Sequence, residues 1–510
     1  MMKKLKYILV FVCVYMNAQI DPNYPEIDQW QTSGKIGGIP TNYVDYVTIT
    51  PIANLQASID AASAQAVSSG FGQIVNLSPG TYDITLISQL QMRNNVMLRG
   101  SDKATTIIYS SEVFGDGGGF NQEKMMVEFD GVVGAGLEDL TLKYFQCFLN
   151  IPKDYWTDIE FVNSHSNSRC GGSTDIKLVR MHGGANNNWV DNCWLIDSGT
   201  NPIQIDGDQN TISNCLVDGS YKTGPGGDGY FLVTGDYNLI IYNRVTRIRH
   251  FSFERGAQYN VAYGNIFEVD INYHNGDDGY NLCENNVVYP YLSHGFGPMQ
   301  TGRSIYGHDP PDPSGNYLFR NSFYRSDNSL ILYPSFSTIY HLTDYADPDG
   351  DLIDDYDYMM TEITSPLPVN NTFYPSGINT PALAKKRVLV YYNGSEVTLA
   401  KKQTIGAKVD ELGYTYDVMV TSDNLGAQFN ELSVLNTFYE KVVILNETEL
   451  TVDTGIKTTL DNFTGNVYYV DATQADAMVE AELTTIFAEN VGVTNIIRRR
   501  NKKKLMTLMN

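Results

Sequence analysis

A motif with two asparagines recurs through the middle of this 510-residue chain. Short apolar runs flank its second asparagine, and successive second asparagines from Asn192 to Asn265 are 22, 29 and 22 residues apart. Short strands joined by an asparagine turn about every 22 residues indicate a solenoid, in which each coil stacks on the one before. The paired asparagines are Asn188 and Asn192, Asn210 and Asn214, Asn238 and Asn243, Asn260 and Asn265, and Asn316 and Asn321.

Asparagine suits such a turn for two reasons. It tolerates the left-handed backbone conformation, and its side chain can hydrogen-bond the equivalent asparagine one coil away. Leucine-rich repeats are the alternative solenoid, but their LxxLxL frame does not occur in these repeats. We therefore expect a mainly β fold, built as a β-solenoid.

The beginning of the repeat region supports this expectation. Residues 54–64 have the pattern of an amphipathic helix. They are followed by GQIVNLSPGTY at 72–82, NVMLRG at 95–100 and TTII at 105–108. This series resembles the N-terminal cap and first coils of the pectate-lyase-like right-handed parallel β-helix proteins, and the resemblance extends over about residues 50–330. It implies the fold but not the reaction, because lyases, hydrolases, epimerases and phage tailspikes share that fold.

The rest of the chain divides by composition. Residues 1–18 have three lysines, an apolar run and a terminal Ala18, the pattern of a signal peptide, so we expect a secreted bacterial protein, periplasmic or extracellular. The parallel β-helix is expected at 19–340, and an acidic, proline-containing linker at 341–383. Strand and helix patterns then alternate, which predicts a smaller C-terminal α/β domain at 384–497 before a basic tail at 498–510.

Charge and motif content exclude several classes of function. The chain has 35 Lys and Arg against 58 Asp and Glu, a net charge of −23, which disfavours nucleic acid or anionic lipid as the main partner. No apolar stretch after residue 20 is long enough for a membrane span. The chain has no CxxC pair, so we expect no zinc site, and it has no glycine-rich phosphate loop, so we expect no organic cofactor. We expect a monomer.

Basic residues recur at about coil spacing. Lys222, His250, His274 and His294 are separated by 28, 24 and 20 residues, and we expect them to line one edge of the helix and contact the substrate. Local positive charge on an acidic protein suits an anionic polysaccharide, since arginine binds carboxylate or sulfate by paired hydrogen bonds. The alternative is that ion pairs with Glu254 and Asp270 hold the coils together. The arginines expected to bind substrate beside His250 are Arg247, Arg249 and Arg255.

Carboxylates recur in a similar way and predict the chemistry. Glycoside hydrolysis needs one carboxyl group as acid and another as base or nucleophile. We expect that pair among Glu254, Glu268 and Asp270, with His274 also in the catalytic centre. Residues two apart on a strand, such as Glu268 and Asp270, lie about 6.5–7 Å apart at the backbone. A structural role for each single carboxylate is the alternative.

Calcium is the one cofactor that the sequence predicts. Asp277 and Asp278 lie in a glycine-flanked turn, and Asp347, Asp349 and Asp351 have the alternate spacing of calcium-binding loops within an acidic run. A solvated acidic linker is the alternative for that run. With calcium, the same face would suit a polysaccharide lyase, in which Arg249, Arg255, Lys222 or His274 assists β-elimination.

Two further resemblances concern the reaction. Residues 306–312 (YGHDPPD) are similar to the YGFDPH signature of mannuronan C5-epimerases, but His308 and Pro311 depart from it and the signature histidine is missing. The combination of export, β-helix and appended domain resembles the iota-carrageenases. Our expectation is therefore a secreted glycoside hydrolase acting on a sulfated or uronate-containing polysaccharide. The alternatives are a calcium-assisted lyase of the alginate or pectate type and a non-catalytic, glycan-binding β-helix.

Overall fold

The computed structural model describes most of the chain up to residue 324 and short segments beyond it. The described ranges are 23–112 (without 53 and 88), 124–145, 175–223, 228–288, 299–301 and 315–324, followed mainly by single strands between 330 and 470. The predicted signal peptide, the segment 306–312 and the basic tail lie outside the described residues, as do His294, Asp347, Asp349 and Asp351.

Three sheets form the body of the molecule, and consecutive strands contribute to each in turn. Sheet 1 has twelve strands, which are β1 (Val44–Ile49), β2 (Gln73–Leu77), β5 (Val96–Gly100), β8 (Gly136–Glu138), β11 (Trp189–Asp191), β14 (Thr211–Ser213), β17 (Leu239–Ile241), β20 (Val261–Tyr263), β23 (Leu282–Glu284), β26 (Asn316–Phe319), β29 (Ile339–Leu342) and β30 (Met360–Ile363). Sheet 2 has ten, which are β3 (Gly80–Asp83), β6 (Thr106–Ser110), β9 (Thr141–Tyr144), β12 (Trp194–Ser198), β15 (Leu216–Ser220), β18 (Arg244–Thr246), β21 (Ile266–Phe267), β24 (Val287–Val288), β27 (Ser322–Tyr324) and β28 (Leu330–Ile331). Sheet 3 has eight, which are β4 (Leu90–Gln91), β7 (Lys124–Asp130), β10 (Ile176–His182), β13 (Ile203–Ile205), β16 (Tyr230–Val233), β19 (His250–Glu254), β22 (Asp270–His274) and β25 (Met299–Thr301).

The order of the strands defines a solenoid. Every third strand joins the same sheet beside its predecessor, and the pairs from β1 to β27 are parallel. Alternate side chains of each strand point inward to one continuous apolar core, which includes Val179, Phe251 and Ile271. The predicted parallel β-helix is confirmed. The last strands of sheets 1 and 2, β28 to β30, are antiparallel to their neighbours.

An amphipathic helix closes the first end of this core, as the sequence predicts. Helix α2 (Leu55–Ser69) begins where the Asn54 side chain accepts a hydrogen bond from the backbone of Ala57, and it ends at Gly70, which has a φ of 75°. Leu55 and Ile59 bury their side chains in the core, so the helix shields the first coil from water.

The first asparagines of the motif form a ladder between sheets 3 and 1. Each side chain donates its Nδ2 hydrogen to Oδ1 of the asparagine on the next coil, over distances of 2.9–3.2 Å. All of its members are buried. The ladder, which confirms the predicted coil-to-coil bond, consists of Asn188, Asn210, Asn238, Asn260, Asn281 and Asn316.

The second ladder, between sheets 1 and 2, contains only the later asparagines of the motif, because Asn192 and Asn214 lie one residue before the ladder position. Its members are Asn243, Asn265, Asn286 and Asn321. Because Ser213 pairs with Ile241, the residue equivalent to Asn243 on the preceding coil is Cys215, not Asn214. Asn192 and Asn214 take the preceding, left-handed position with φ values of 52° and 54°. The spacing of 29 residues predicted for that coil is therefore 28.

The outer face of sheet 1 is covered by an N-terminal strap, residues 24–43, which contains the short helix α1 (Ile27–Trp30). Trp30 Nε1 donates to the Tyr280 carbonyl at 2.6 Å, and Gly34 N donates to the Tyr237 carbonyl at 2.6 Å. Tyr43 reaches the Gly134 carbonyl at 2.6 Å. The strap thus runs from the late coils back to the early ones.

A fourth sheet lies in the last third of the chain. Its strands are β31 (Lys386–Tyr392), β32 (Tyr414–Val420), β33 (Lys441–Leu445) and β34 (Asn466–Val470), all parallel, in the order β32-β31-β33-β34. The α/β packing and the limits 384–497 stay predictions. Part of the segment predicted as a linker, β30, belongs to sheet 1. None of the helices in the described part of the chain has the length and hydrophobicity of a membrane span.

Candidate functional site

The outer face of sheet 3 carries polar side chains in straight columns, because the parallel strands are in register. The first column is polar at every position except Leu232. Neighbouring members are one coil apart, about 4.8 Å. The column consists of Glu128, Arg180, Gln204, Leu232, Ser252 and Asn272.

A second column runs two residues further along the same strands and contains ionisable groups. Asp130 pairs with His182 on the neighbouring strand, and Glu254 pairs with His274. Asp206 and Thr234 directly follow the paired residues Ile205 and Val233 and continue this column between them. Function was expected in columns at coil spacing, and the column pattern is present; of the residues predicted for the site, Glu254 and His274 belong to this column.

The early coils hold an accessible cluster, which we call the His182 patch: Glu128, Asp130, Arg180, His182, Gln204 and Asp206. His182 Nε2 lies 2.9 Å from Glu128 Oε1, and Arg180 Nε donates to Asp206 Oδ2 at 3.1 Å. The side chains of Arg180 and His182 are 26% and 23% exposed, so solvent reaches the patch. Each carboxylate from a flanking strand thus contacts one side chain of the central strand β10.

Neutral partners complete the contacts of both carboxylates. Gln89 Nε2 donates to Glu128 Oε2 at 2.8 Å. Asp206 accepts hydrogen bonds from Gln204 Nε2 at 2.8 Å and from Thr234 Oγ1 at 2.9 Å. Glu128 and Asp206 lie two strands apart and two residues apart along them, which places their backbones about 12 Å from each other, and both side chains lean toward β10 between them. That separation leaves room for a water molecule between them.

Lys222 lies at the corner where sheet 2 passes into sheet 3. Its Nζ is 3.1 Å from both Asp175 and Asp228, and Thr200 donates to Asp228 at 3.0 Å. Burial lowers the pKa of Lys222, but the two carboxylates outweigh this effect and the pKa is raised. Lys222 is therefore a persistent cation, which does not suit the role of base. We call these four residues the Lys222 corner.

His250 belongs to a buried cluster on the later coils. Its Nδ1 lies 2.7 Å from Asp270, with which it is in register, and its ring packs edge-on against Tyr230 at 4.7 Å. Arg249 lies over the Tyr230 ring at 5.5 Å. The exposed fractions of His250 and Asp270 are 2% and 0%. This geometry fits a positioned pair, but one that solvent reaches far less than the His182 patch.

The predicted column of Lys222, His250, His274 and His294 does not form. His250 pairs with Asp270, whereas His274 pairs with Glu254 at the other end of the strand. Glu254 also accepts hydrogen bonds from Ser252 and Asn275, and it lies 3.6 Å from Arg255. The binding and catalytic roles expected for these residues stay predictions, as does that of His294, which is outside the described residues.

Glu268 and Asp270 do not face each other, contrary to the spacing argument. Asp270 is on sheet 3, while Glu268 follows the sheet 2 strand β21 and is 0% exposed. Arg244 contacts Glu268 at 2.6 Å, and Arg247 binds Asp218 at 2.7 Å. The predicted basic cluster is therefore divided between two sheets. The ion-pair alternative named Glu254 and Asp270 as partners, whereas Arg247 pairs with Asp218 on the neighbouring coil.

Of the aspartates predicted as calcium ligands, Asp277 and Asp278 are described, and both lie in a turn after β22. Asp277 Oδ1 accepts hydrogen bonds from Gly279 N at 2.8 Å and from Asn316 Nδ2 at 2.9 Å, and Asp278 is exposed. Within the described ranges, no group of three or more His, Cys, Asp or Glu side chains is placed to hold a metal ion. A calcium site at Asp347, Asp349 and Asp351 stays a prediction.

Sequence reasoning predicted no catalytic or binding role for any residue of the His182 patch. The asparagine motif starts at Asn188, so Glu128, Arg180 and His182 precede the region in which coils can be counted. The available signal was the alternation of Arg180 and His182 with Val179 and Met181, which indicates a strand with one polar face.

Comparisons with known proteins give only distant similarities. No protein-family profile matches the chain, and no curated protein matches it. The A-module of mannuronan C-5 epimerase AlgE4 from Azotobacter vinelandii is similar in structure, with 12% identity, a TM-score of 0.36 and coverage of 56% of this chain and 89% of that one. A pectin methylesterase in complex with a hexasaccharide is also similar in structure, with 11% identity, a TM-score of 0.28 and coverage of 57% of this chain and 92% of that one. These similarities carry no argument about function.

Proposed function

We propose that this chain is a glycoside hydrolase that cleaves a polysaccharide over the His182 patch. One observation carries the proposal: Glu128 and Asp206 approach the same strand from opposite sides on an accessible face. Two carboxyl groups that lean toward one strand from either side suit the arrangement of inverting glycosidases, in which the carboxyl groups lie about 6.5–9.5 Å apart and a water molecule lies between base and sugar. We further propose that the enzyme acts outside the cytoplasm, for which the leader-like residues 1–18 are the support.

The contacts of the two carboxylates distinguish their roles. Asp206 accepts hydrogen bonds from Arg180, Gln204 and Thr234, and it is the carboxylate of the pair that contacts a guanidinium group. In the proposed reaction Asp206 takes a proton from water, whose oxygen forms a bond to the anomeric carbon. Glu128, which lies 2.9 Å from His182, gives its proton to the departing glycosidic oxygen as the old bond breaks.

A second reaction uses the same patch. His182 Nδ1 lies 3.8 Å from Asp130, and Arg180 is two residues away on the same strand. In β-elimination, His182 would remove the C5 proton of a uronate while Arg180 neutralises the uronate carboxylate; the C4–C5 double bond forms as the bond from C4 to the glycosidic oxygen breaks, and that oxygen takes a proton from water. The two reactions differ in their products, because elimination leaves an unsaturated sugar that absorbs ultraviolet light and hydrolysis does not.

The test compares variants of the full chain on a panel of polysaccharides. We expect Glu128→Gln and Asp206→Asn each to lower the rate of reducing-end release by about 10²–10⁴-fold, since each removes one acid–base group. Asp45→Asn is the matched control, because Asp45 is exposed on β1 and contacts Asn76. Unsaturated product would favour elimination. Unchanged rates in both carboxylate variants would exclude the proposed pair.

A further inference from the structure

We propose that the polysaccharide bound over the His182 patch is uncharged, not anionic as the sequence suggested. The inference rests on the proposed function and adds the class of substrate. The His182 patch and the Lys222 corner together contain five carboxylates and two permanent cations, Arg180 and Lys222. The carboxylates are Glu128, Asp130, Asp175, Asp206 and Asp228.

Both cations already contact carboxylates of the protein. Arg180 is bound to Asp206, and Lys222 is held between Asp175 and Asp228. Nearby, Lys124 contacts Glu112 and cancels its charge, and Lys177 is only 1% exposed. A uronate or sulfate group arriving at this surface would therefore have to compete with carboxylates that the protein has built in.

The charge of the surroundings acts in the same direction. The chain as a whole carries −23, so its field repels a polyanion before contact. The predicted basic cluster lies away from the patch, because Arg247 is paired with Asp218 after β18, and Arg249 and Arg255 flank β19 on a later coil. The His182 patch and the Lys222 corner together therefore carry more carboxyl groups than cations.

Sugar hydroxyl groups fit the same surface well. A carboxylate accepts hydrogen bonds only, and a hydroxyl group supplies the donor that it needs. Gln204, in the first column, can both donate and accept through its amide, and so can exchange bonds with a sugar hydroxyl and with Asp206. The patch thus suits a hydroxyl-rich chain without carboxylate or sulfate substituents.

The first experiment measures cleavage by the full chain at low and at high salt. The neutral probes are a glucan, a mannan, a xylan and a desulfated galactan, and the anionic probes are polygalacturonate, alginate and the sulfated form of the same galactan. We expect cleavage of a neutral probe, with a kcat/KM that changes less than about twofold with salt, since no charge attraction contributes. Cleavage confined to anionic probes would overturn the inference and leave the hydrolase intact. If no probe is cleaved, the proposed function fails and the inference with it.

The second experiment measures repulsion directly, with polygalacturonate as a competitor of the neutral substrate. Asp130 is the exposed member of the patch, at 64%, so Asp130→Asn removes one negative charge where the polymer arrives. We expect inhibition by polygalacturonate to become about twofold to threefold stronger at low salt, and the difference to disappear at high salt. Asp45→Asn, with the same change of charge on β1, should leave inhibition unchanged. Weaker inhibition of the Asp130 variant would mean that the patch attracts anions.

Discussion

Glu284 is a carboxyl group that closes a contact between distant parts of the chain. It lies on β23 with 1% exposure and accepts hydrogen bonds from Thr372 Oγ1 at 2.6 Å, Phe373 N at 3.1 Å and Tyr374 N at 2.9 Å. Burial raises its pKa to about 7 despite these donors. The contact therefore holds a segment beyond the described coils against sheet 1, and its strength should depend on pH.

The pKa of Glu284 predicts a loss of stability as the pH rises. The ordinary pKa of a glutamate is about 4.3, so folding favours the protonated form of Glu284. The stability that this protonated group contributes is fully present below about pH 4.3 and is lost as the pH rises through about 7. At pH 8 the ionised form should cost roughly 3 kcal/mol of unfolding free energy. Glu284→Gln keeps an acceptor for both backbone N–H groups and should make the melting temperature less dependent on pH between 5 and 8. Equal pH dependence in variant and parent would refute this assignment.

The asparagine ladders are the elements that keep the coils in register. Asn260 Oδ1 accepts hydrogen bonds from Asn238 N at 2.8 Å and from Asn238 Nδ2 at 3.1 Å, and its own Nδ2 donates to the Gly235 carbonyl at 2.9 Å. Each asparagine thus satisfies buried backbone groups on neighbouring coils, where water is excluded. A ladder is therefore a cooperative element, in which one missing rung leaves partners on both sides unsatisfied.

Removing one rung should be costly. Asn260→Ala leaves the buried N–H groups of Asn238 and the Gly235 carbonyl without their partner, and each such group costs about 1–3 kcal/mol. We expect a total loss of roughly 3–5 kcal/mol in urea unfolding monitored by circular dichroism. Asn42→Ala, at an exposed position ahead of β1, should change stability by less than about 0.5 kcal/mol. A similar effect of both substitutions would show that the ladder contributes little.

The same elements explain how far sequence reasoning reached. The asparagines predicted the solenoid because their side chains make one repeated contact, which needs the same residue on every coil. Register on sheet 3 was not predictable from their spacing, because the corner between sheets 2 and 3 varies in length. Three residues separate β18 from β19, whereas two separate β21 from β22. His250 and His274 therefore follow their asparagines by similar distances and still occupy opposite ends of their strands.

At the scale of the whole molecule, the strap changes how a solenoid holds together. A coil of a solenoid contacts only its neighbours, so distant coils are coupled weakly. Here the strap bonds six consecutive coils, from Tyr280 and Tyr259 on late ones to Asn187 and Gly134 on early ones. It also covers part of the outer face of sheet 1, whereas the polar columns of sheet 3 lie on a face that the strap does not contact in the described hydrogen bonds.

This coupling predicts the effect of loosening the strap at its late end. Trp30 is fully buried and packs edge-on against Tyr317 at 4.8 Å and Phe373 at 5.5 Å. Trp30→Ala should cost about 3–5 kcal/mol, since it leaves a large cavity and removes the bond to Tyr280. Because the early anchors of the strap remain, we expect hydrogen exchange to accelerate at the backbone amides of β20 and β23 well before those of β5 and β8. Ile36→Ala is the matched control, because that side chain of the strap is 56% exposed. Uniform acceleration along the helix would mean that the coils open together and that the strap is not what couples them.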